Sequence, residues 1–255
     1  MGFFSIVKKK IFEETEINQL RNYFKEKDFF NKNIELLDLE PNDILLNFIL
    51  SKKLINFLKQ SLNDDFYFIG GSVIQKNNRT KNLEKYHKDS GKIHQSGILS
   101  KKENLYVKIG IMLQDNIKGD GGGIDYLKPM IFDNFSDNSK ILNKLRAIYY
   151  FFQDKLFDTH FYTKSGDVIF FSAMLSHRTS FTKKDRSNFI KDKYVIYNQI
   201  TNLNLIKDVI KITRKNRDNS NFQIEDNINV INVQGEEIKI LKPEFASEIS
   251  NYVGA

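Results

Sequence analysis

The apolar pattern changes period near residue 65, and that change restricts the chain to architectures that lay helices against a sheet. Before it, "EETEINQLRNYFKEKDFF" and "DILLNFILSKKLINFLKQSL" place apolar side chains three and four residues apart, the spacing of helices with one buried face. Pro41-Asn42-Asp43 supplies a start for the second helix. After it, "DFYFIGGSVIQK" (65–76), "ENLYVKIGIMLQD" (103–115), "GDVIFFSAML" (166–175) and "KYVIYNQI" (193–200) are aromatic and β-branched runs of strand length. Residues 116–140 read as a turn-rich connector, and 141–157 as an amphipathic helix or a loop-borne insertion. A helix over 203–215 and a hairpin, "INVINVQGEEIKIL", turning at Gly235, complete the tail. There is no internal repeat and no Pro/Gly/Ser linker. The expectation is one α+β domain over 1–255: a helical layer (1–64), a core (65–200) built on a closed or sandwiched sheet, and a C-terminal extension (201–255).

Composition narrows the chemistry. A hydrophobic fraction of 40% with 22 phenylalanines supplies a well-filled interior. The absence of cysteine excludes disulfides, thiolate zinc, iron–sulfur clusters and a cysteine nucleophile. The start, "MGFFSIVKKK", has too short an apolar run for a secretory signal, and Ile6 stands where myristoylation requires Ser or Thr. No stretch approaches the roughly 20 apolar residues of a membrane span. A soluble cytoplasmic protein with no membrane partner is expected. The net charge of +7 is spread over "KKK" (8–10), "KK" (101–102), "KKDR" (183–186) and "RKNR" (214–217), with acidic residues interleaved. A diffuse excess of this kind argues against a nucleic-acid partner, while an anionic small-molecule substrate is compatible with it.

Two of the chain's four histidines lie in "EKYHKDSGKIHQ" (84–95). On a strand, His87 and Asp89 project to one face while Lys88 points away. A lone His-x-Asp often arises by chance as a surface hydrogen bond. Here the apolar run "GDVIFF" leads inward to a third donor, His177. Two histidines and one carboxylate on one side of an ion form the facial triad of non-haem iron(II) oxygenases, which leaves the opposite positions open for oxidant and co-substrate.

"YHKDSG", "LYVKIGIMLQDNIKGDGGGIDYLKP" and "SGDVIFFSAMLSHRTSFTKKDR" together resemble successive blocks of the phytanoyl-CoA dioxygenase-like family of Fe(II)/2-oxoglutarate-dependent oxygenases. The resemblance covers about residues 65–200. It implies a double-stranded β-helix (jelly-roll, cupin-like) core flanked by N-terminal and C-terminal helices. It also implies iron(II) held by His87, Asp89 and His177, with 2-oxoglutarate and O2 as co-substrates. The family's strand ending in Leu-x-Asp corresponds to Met112-Leu113-Gln114-Asp115, followed by Gly121-Gly122-Gly123 and Pro129. The family's Gly-Ser-His after that proline is replaced by Met130-Ile131-Phe132. In the family an arginine about ten residues past the distal histidine anchors the far carboxylate of 2-oxoglutarate; Arg186 holds that position, and a planar guanidinium suits the role. Arg178 competes for it, but as a strand neighbour of His177 it should face the other way. Lys191 and Lys193 offer only point charges. Thr179, on the face of His177, and Lys76, on the strand before the His-x-Asp block, are further expected co-substrate contacts.

The implied reaction is hydroxylation of a small-molecule or sugar-type metabolite, with succinate and CO2 released. Because Asp89 is a carboxylate and not Gly or Ala, hydroxylation is favoured over halogenation. A catalytically silent jelly-roll module binding a ligand or glycan is the alternative on the same scaffold. His94 and His160 read as ordinary polar residues. "GDGGGI" lacks the spacing of a dinucleotide fingerprint.

Overall fold

The computed structural model describes residues 6–30, 32–62, 65–76, 86–89, 98–101, 103–118, 123–128, 140–157, 159–180, 194–213 and 223–253. Helices and strands both contribute heavily, and one large, mostly antiparallel sheet dominates. Its path runs β1 (Ile6–Lys10), β8 (Asp167–Ser172), β5 (Tyr106–Met112), β10 (Tyr194–Thr201), β3 (Tyr67–Phe68), β12 (Glu236–Leu241), β11 (Ile228–Val233). Beside β3, β4 (Ser72–Lys76) also pairs with β10 and carries β2 (Lys32–Ile34) on its far edge. Among the described residues, the one parallel pairing joins β3 to β12. A second, three-stranded sheet has the order β7 (His160–Phe161), β6 (Ile124–Tyr126), β9 (His177–Thr179).

Alternation along the central strands decides what covers each face. Val107, Ile109 and Ile111 of β5, Val168 and Phe170 of β8, and Ile196 and Ile200 of β10 point one way. There they join Ile17, Leu20, Phe24, Leu45, Leu54 and Leu58 of the N-terminal helices in the largest core cluster. Met112, Ile169, Phe171, Val195 and Tyr197 point the other way and pack on Ile124 of the second sheet and on Leu175. The large sheet is therefore covered by α1 (Glu14–Glu26), α2 (Ile44–Ile49) and α3 (Lys52–Leu62) on one face and by the small sheet on the other. Each fully buried Leu, Ile or Phe contributes roughly 1.5–3 kcal/mol to holding these layers together. A third cluster joins Tyr67, Tyr106 and Met174 to α5 (Leu203–Thr213) and α6 (Pro243–Val253) through Leu205, Val209, Phe245 and Ile249.

Several local expectations are met. Asp43 caps α2 by accepting the Leu45 amide at 2.7 Å. The hairpin β11–β12 turns at Gln234-Gly235, both with positive φ (54° and 84°), as a two-residue turn of the primed type requires. The Gly-Asp turn before β8 needs its glycine: Gly166 has φ 80°, and a Cβ there would collide with the Phe12 carbonyl oxygen. The segment 141–157 is a helix, α4 (Lys140–Leu156).

Three readings are corrected. The N-terminal region is not helical throughout, since β1 and β2 lie within it. The run 44–62 is two helices, because the chain leaves helical geometry at Leu50 and restarts at Lys52. The run 166–177 is not one strand: β8 stops at Ser172, a turn follows, and His177 opens β9 in the other sheet. The Ser172 hydroxyl accepts the Met174 amide (3.2 Å) inside that turn, which carries the chain across the gap between the sheets. Among the described residues no helix is long and apolar enough to cross a membrane.

Candidate metal centre

The two histidines singled out in the sequence meet through their backbones. His87 N donates to His177 O and His177 N donates to His87 O, both at 2.9 Å, so the two residues form a directly opposed antiparallel pair at the edge of the small sheet. Their side chains share a face, with ring centroids 4.5 Å apart. Asp89 completes the group, although the expectation of a continuous strand there is only partly met: His87 is a single bridge residue and Asp89 lies in a turn. Asp89 Oδ1 is 3.7 Å from His87 Nε2, and Oδ2 is 3.5 Å from His177 Nε2. Among the described residues this is the one cluster of three such donors whose ligand atoms all lie within 4.8 Å of one another.

The donor set fits a divalent ion. Three N and O donors about 2.1 Å from a common ion and at right angles are about 3 Å apart, so the three side chains would draw together on an ion from their separations of up to 4.8 Å. His177 Nδ1 lies 3.0 Å from the Leu175 carbonyl oxygen; that contact assigns the proton to Nδ1 and leaves the Nε2 lone pair directed at the site. Phe171 packs edge-on against the same ring at 4.9 Å. Burial pushes the His177 imidazolium pKa down to about 4, against the pull of Asp89, so at neutral pH the ring is uncharged as a ligand must be. His87 is the open side, with 35% of its side chain exposed against 8% for His177.

Lys108, which the sequence reading did not single out, lies directly beside the triad. Its Nζ donates to Asp89 Oδ2 at 3.0 Å and sits 5.0 Å from the Tyr197 ring centroid. Burial alone would raise the Asp89 pKa and lower that of Lys108. Their mutual attraction wins in both cases, assisted at Asp89 by the histidines, so Asp89 is held below the usual carboxylate range and Lys108 above the usual amine range. The phenols of Tyr106 and Tyr197, on the same face, are pushed up by burial, so both are neutral donors. Tyr106 Oη donates to Gln199 Oε1 at 2.9 Å. A signal for this cluster was present in the sequence: in "LYVKIGIML" Lys108 is the one charged residue of an otherwise apolar run, and it falls on the face of Tyr106, Gly110 and Met112.

The other sequence candidates divide. Thr179 lies on β9, two residues beyond His177 and on its face, half-buried. Arg178 points the other way, to Asp125 (3.2 Å) and Asp154 (2.6 Å), which removes it from the site face. His160, read as an ordinary polar residue, is buried, with Nδ1 at 2.9 Å from Ser180 Oγ and 3.1 Å from Asp125 Oδ1, and it belongs to that opposite face. Lys76 ends β4 opposite Tyr194, and its side chain lies outside the described residues. Arg186, Lys191, Lys193 and His94 lie outside them altogether.

No protein-family model matches the sequence, and no curated protein matches it. The fold is nonetheless similar to solved structures. HygX from Streptomyces hygroscopicus with nickel and 2-oxoglutarate bound aligns over 79% of this chain and 83% of its own, at 16% identity and a TM-score of 0.50. The non-heme alpha ketoglutarate dependent epimerase SnoN aligns over 78% of this chain and 77% of its own at 8% identity (TM-score 0.48). AviO1 from Streptomyces viridochromogenes Tue57 aligns over 78% and 90% at 11% identity (TM-score 0.47). At such identities the likeness is one of fold.

Proposed function

We propose that this chain is an iron(II)- and 2-oxoglutarate-dependent oxygenase that hydroxylates a small-molecule or sugar-type metabolite, within a single domain over 1–255. The observation that carries the reading is the convergence of His87, Asp89 and His177, the three donors named from sequence, between the two sheets. The layered arrangement of a large and a small sheet supports a jelly-roll core, and the fold's similarity to HygX, which holds nickel and 2-oxoglutarate, supports the same assignment.

In this reading His87 Nε2, His177 Nε2 and one Asp89 oxygen would hold the ion. When bound, iron with O2 and 2-oxoglutarate supplies the oxidising chemistry. The chain's contribution is positional. The Leu175 carbonyl fixes the tautomer and ring plane of His177. Lys108 keeps Asp89 ionised and engages Oδ2. Phe171 and Tyr197 exclude water from the inner side, and the exposed edge of His87 leaves an approach for the reactants. Arg186 is the proposed anchor for the distal carboxylate of 2-oxoglutarate, with Thr179 and Lys76 as further contacts, on the strength of sequence position. The test is turnover: purified protein with iron(II), ascorbate and 2-oxoglutarate should form succinate, slowly even without substrate, and His87→Ala should abolish it. A folded protein that forms none refutes the proposal and favours a ligand-binding module.

A further inference from the structure

The two metal-ligand histidines are backed, on the face away from the site, by a second directly opposed pair. Tyr86 precedes His87 and Arg178 follows His177, so the antiparallel register that joins His87 to His177 also sets Tyr86 opposite Arg178. The Arg178 guanidinium carbon lies 4.1 Å from the Tyr86 ring centroid. Its nitrogens are spread over two carboxylates: Nε to Asp125 Oδ2 (3.2 Å), Nη1 to Asp154 Oδ2 (3.3 Å) and Nη2 to Asp154 Oδ1 (2.6 Å). Tyr86 Oη reaches Asp154 Oδ1 (3.0 Å) and Thr159 Oγ1 (3.1 Å). Asp125 is fixed in turn by the Ser180 hydroxyl (2.6 Å) and by His160 Nδ1 (3.1 Å). Four elements meet here: β9, which carries His177; the segment that carries His87; β6, which supplies Asp125; and α4, which supplies Asp154.

We infer that Arg178 is a positioning residue for the metal centre, clamping the His87 and His177 backbones together from behind through Tyr86, Asp125 and Asp154. The inference rests on the metal-site reading above and deepens it. Alternation makes the coupling direct: locking the strand neighbours on one face fixes the backbone from which each imidazole projects on the other. β9 is three residues long, and His87 is held to it by a single bridge. The backbone alone therefore fixes the spacing of the two imidazoles weakly. A planar fork satisfied by two carboxylates and stacked on a ring is a rigid restraint, which a lysine at the same place reproduces only in charge.

The test measures binding of Mn(II), a probe ion for the three donors, by the electron paramagnetic resonance signal of the free ion, together with a melting curve for each variant. Arg178→Met should weaken Mn(II) binding by about ten- to a hundred-fold, and Arg178→Lys should recover only part of the loss. Tyr86→Leu should weaken binding in the same direction. Gln153→Ala is the control for general loosening. Gln153 ties α4 to the Lys128 backbone through two 2.8 Å hydrogen bonds outside the clamp, so its loss should leave Mn(II) affinity within about two-fold. If Arg178→Met does not fold, Asp154→Asn, which cuts one arm, carries the test with a smaller expected loss. Wild-type protein that binds no Mn(II) overturns the metal-site reading. Wild-type binding matched by folded Arg178 or Asp154 variants overturns the clamp alone, as does an equal loss in Gln153→Ala.

Discussion

Replacing Lys108 by Met removes a cation and leaves the shape of the side chain nearly unchanged. In the metal-free protein it strands Asp89, whose side chain is only 13% exposed, without the ammonium 3.0 Å from Oδ2. Breaking a buried pair from one side costs about 3–5 kcal/mol; both partners keep some solvent contact here, so about 3 kcal/mol is expected. For a chain of 255 residues that corresponds to a fall in Tm of roughly 6–12 °C. The sign with pH follows from the same pair. Asp89 has a folded pKa below its unfolded value, so its contribution is present above the unfolded pKa and is lost as pH falls through the folded one. Without Lys108 the folded pKa rises, and that increment shrinks at neutral pH. A divalent ion restores positive charge beside Asp89, so Mn(II) should raise the Tm of Lys108→Met by more than it raises that of wild type. The assay is thermal and urea unfolding at pH 7 and near pH 4, with and without Mn(II). Equal stabilities of variant and wild type without metal, or an equal increment on adding it, refute the coupling of Lys108 to the site.

Three further outcomes follow from named contacts. His177→Ala should remove Mn(II) binding, as read by titration with Mn(II), and His160→Ala should destabilise the fold by about 2–3 kcal/mol, because it unpairs buried partners, as read by urea unfolding. The buried neutral His177, with its pKa pushed down to about 4, binds its proton more weakly folded than unfolded, so acid favours unfolding. Between about pH 6.5 and 4 metal-free wild type should lose stability that His177→Ala does not lose, as read from urea midpoints across that range. Gly166→Ala should destabilise by about 2–3 kcal/mol, since it forces a side chain into positive φ against the Phe12 carbonyl oxygen, measured by the shift in urea midpoint.

The convergence of His87, Asp89 and His177 was legible because their residue types and spacing are chemical constraints that survive without any knowledge of the fold. Arg178 was correctly turned away from the site by alternation alone. What escaped depended on context. The β1 segment "IVKKK" falls within the expected helical layer, yet it pairs with β8 at the edge of the large sheet, where exposed lysines are what an edge strand tolerates. β6 is three residues long inside a turn-rich stretch, too short for periodicity to register. Lys108 was visible as an interior charge, but its partner, 19 residues away in sequence, emerges only once β5 faces the small sheet. His160 read as an ordinary polar residue because nothing local announces the Asp125–Ser180 pair it joins.

The central claim is that His87, Asp89 and His177 hold iron so that 2-oxoglutarate binds it directly. Anaerobic addition of iron(II) and then 2-oxoglutarate to the purified protein tests this without knowledge of the substrate. The account predicts a weak visible charge-transfer band that requires both additions and is lost in His177→Ala. A folded wild-type protein that shows no band, or a band that persists in His177→Ala, contradicts it.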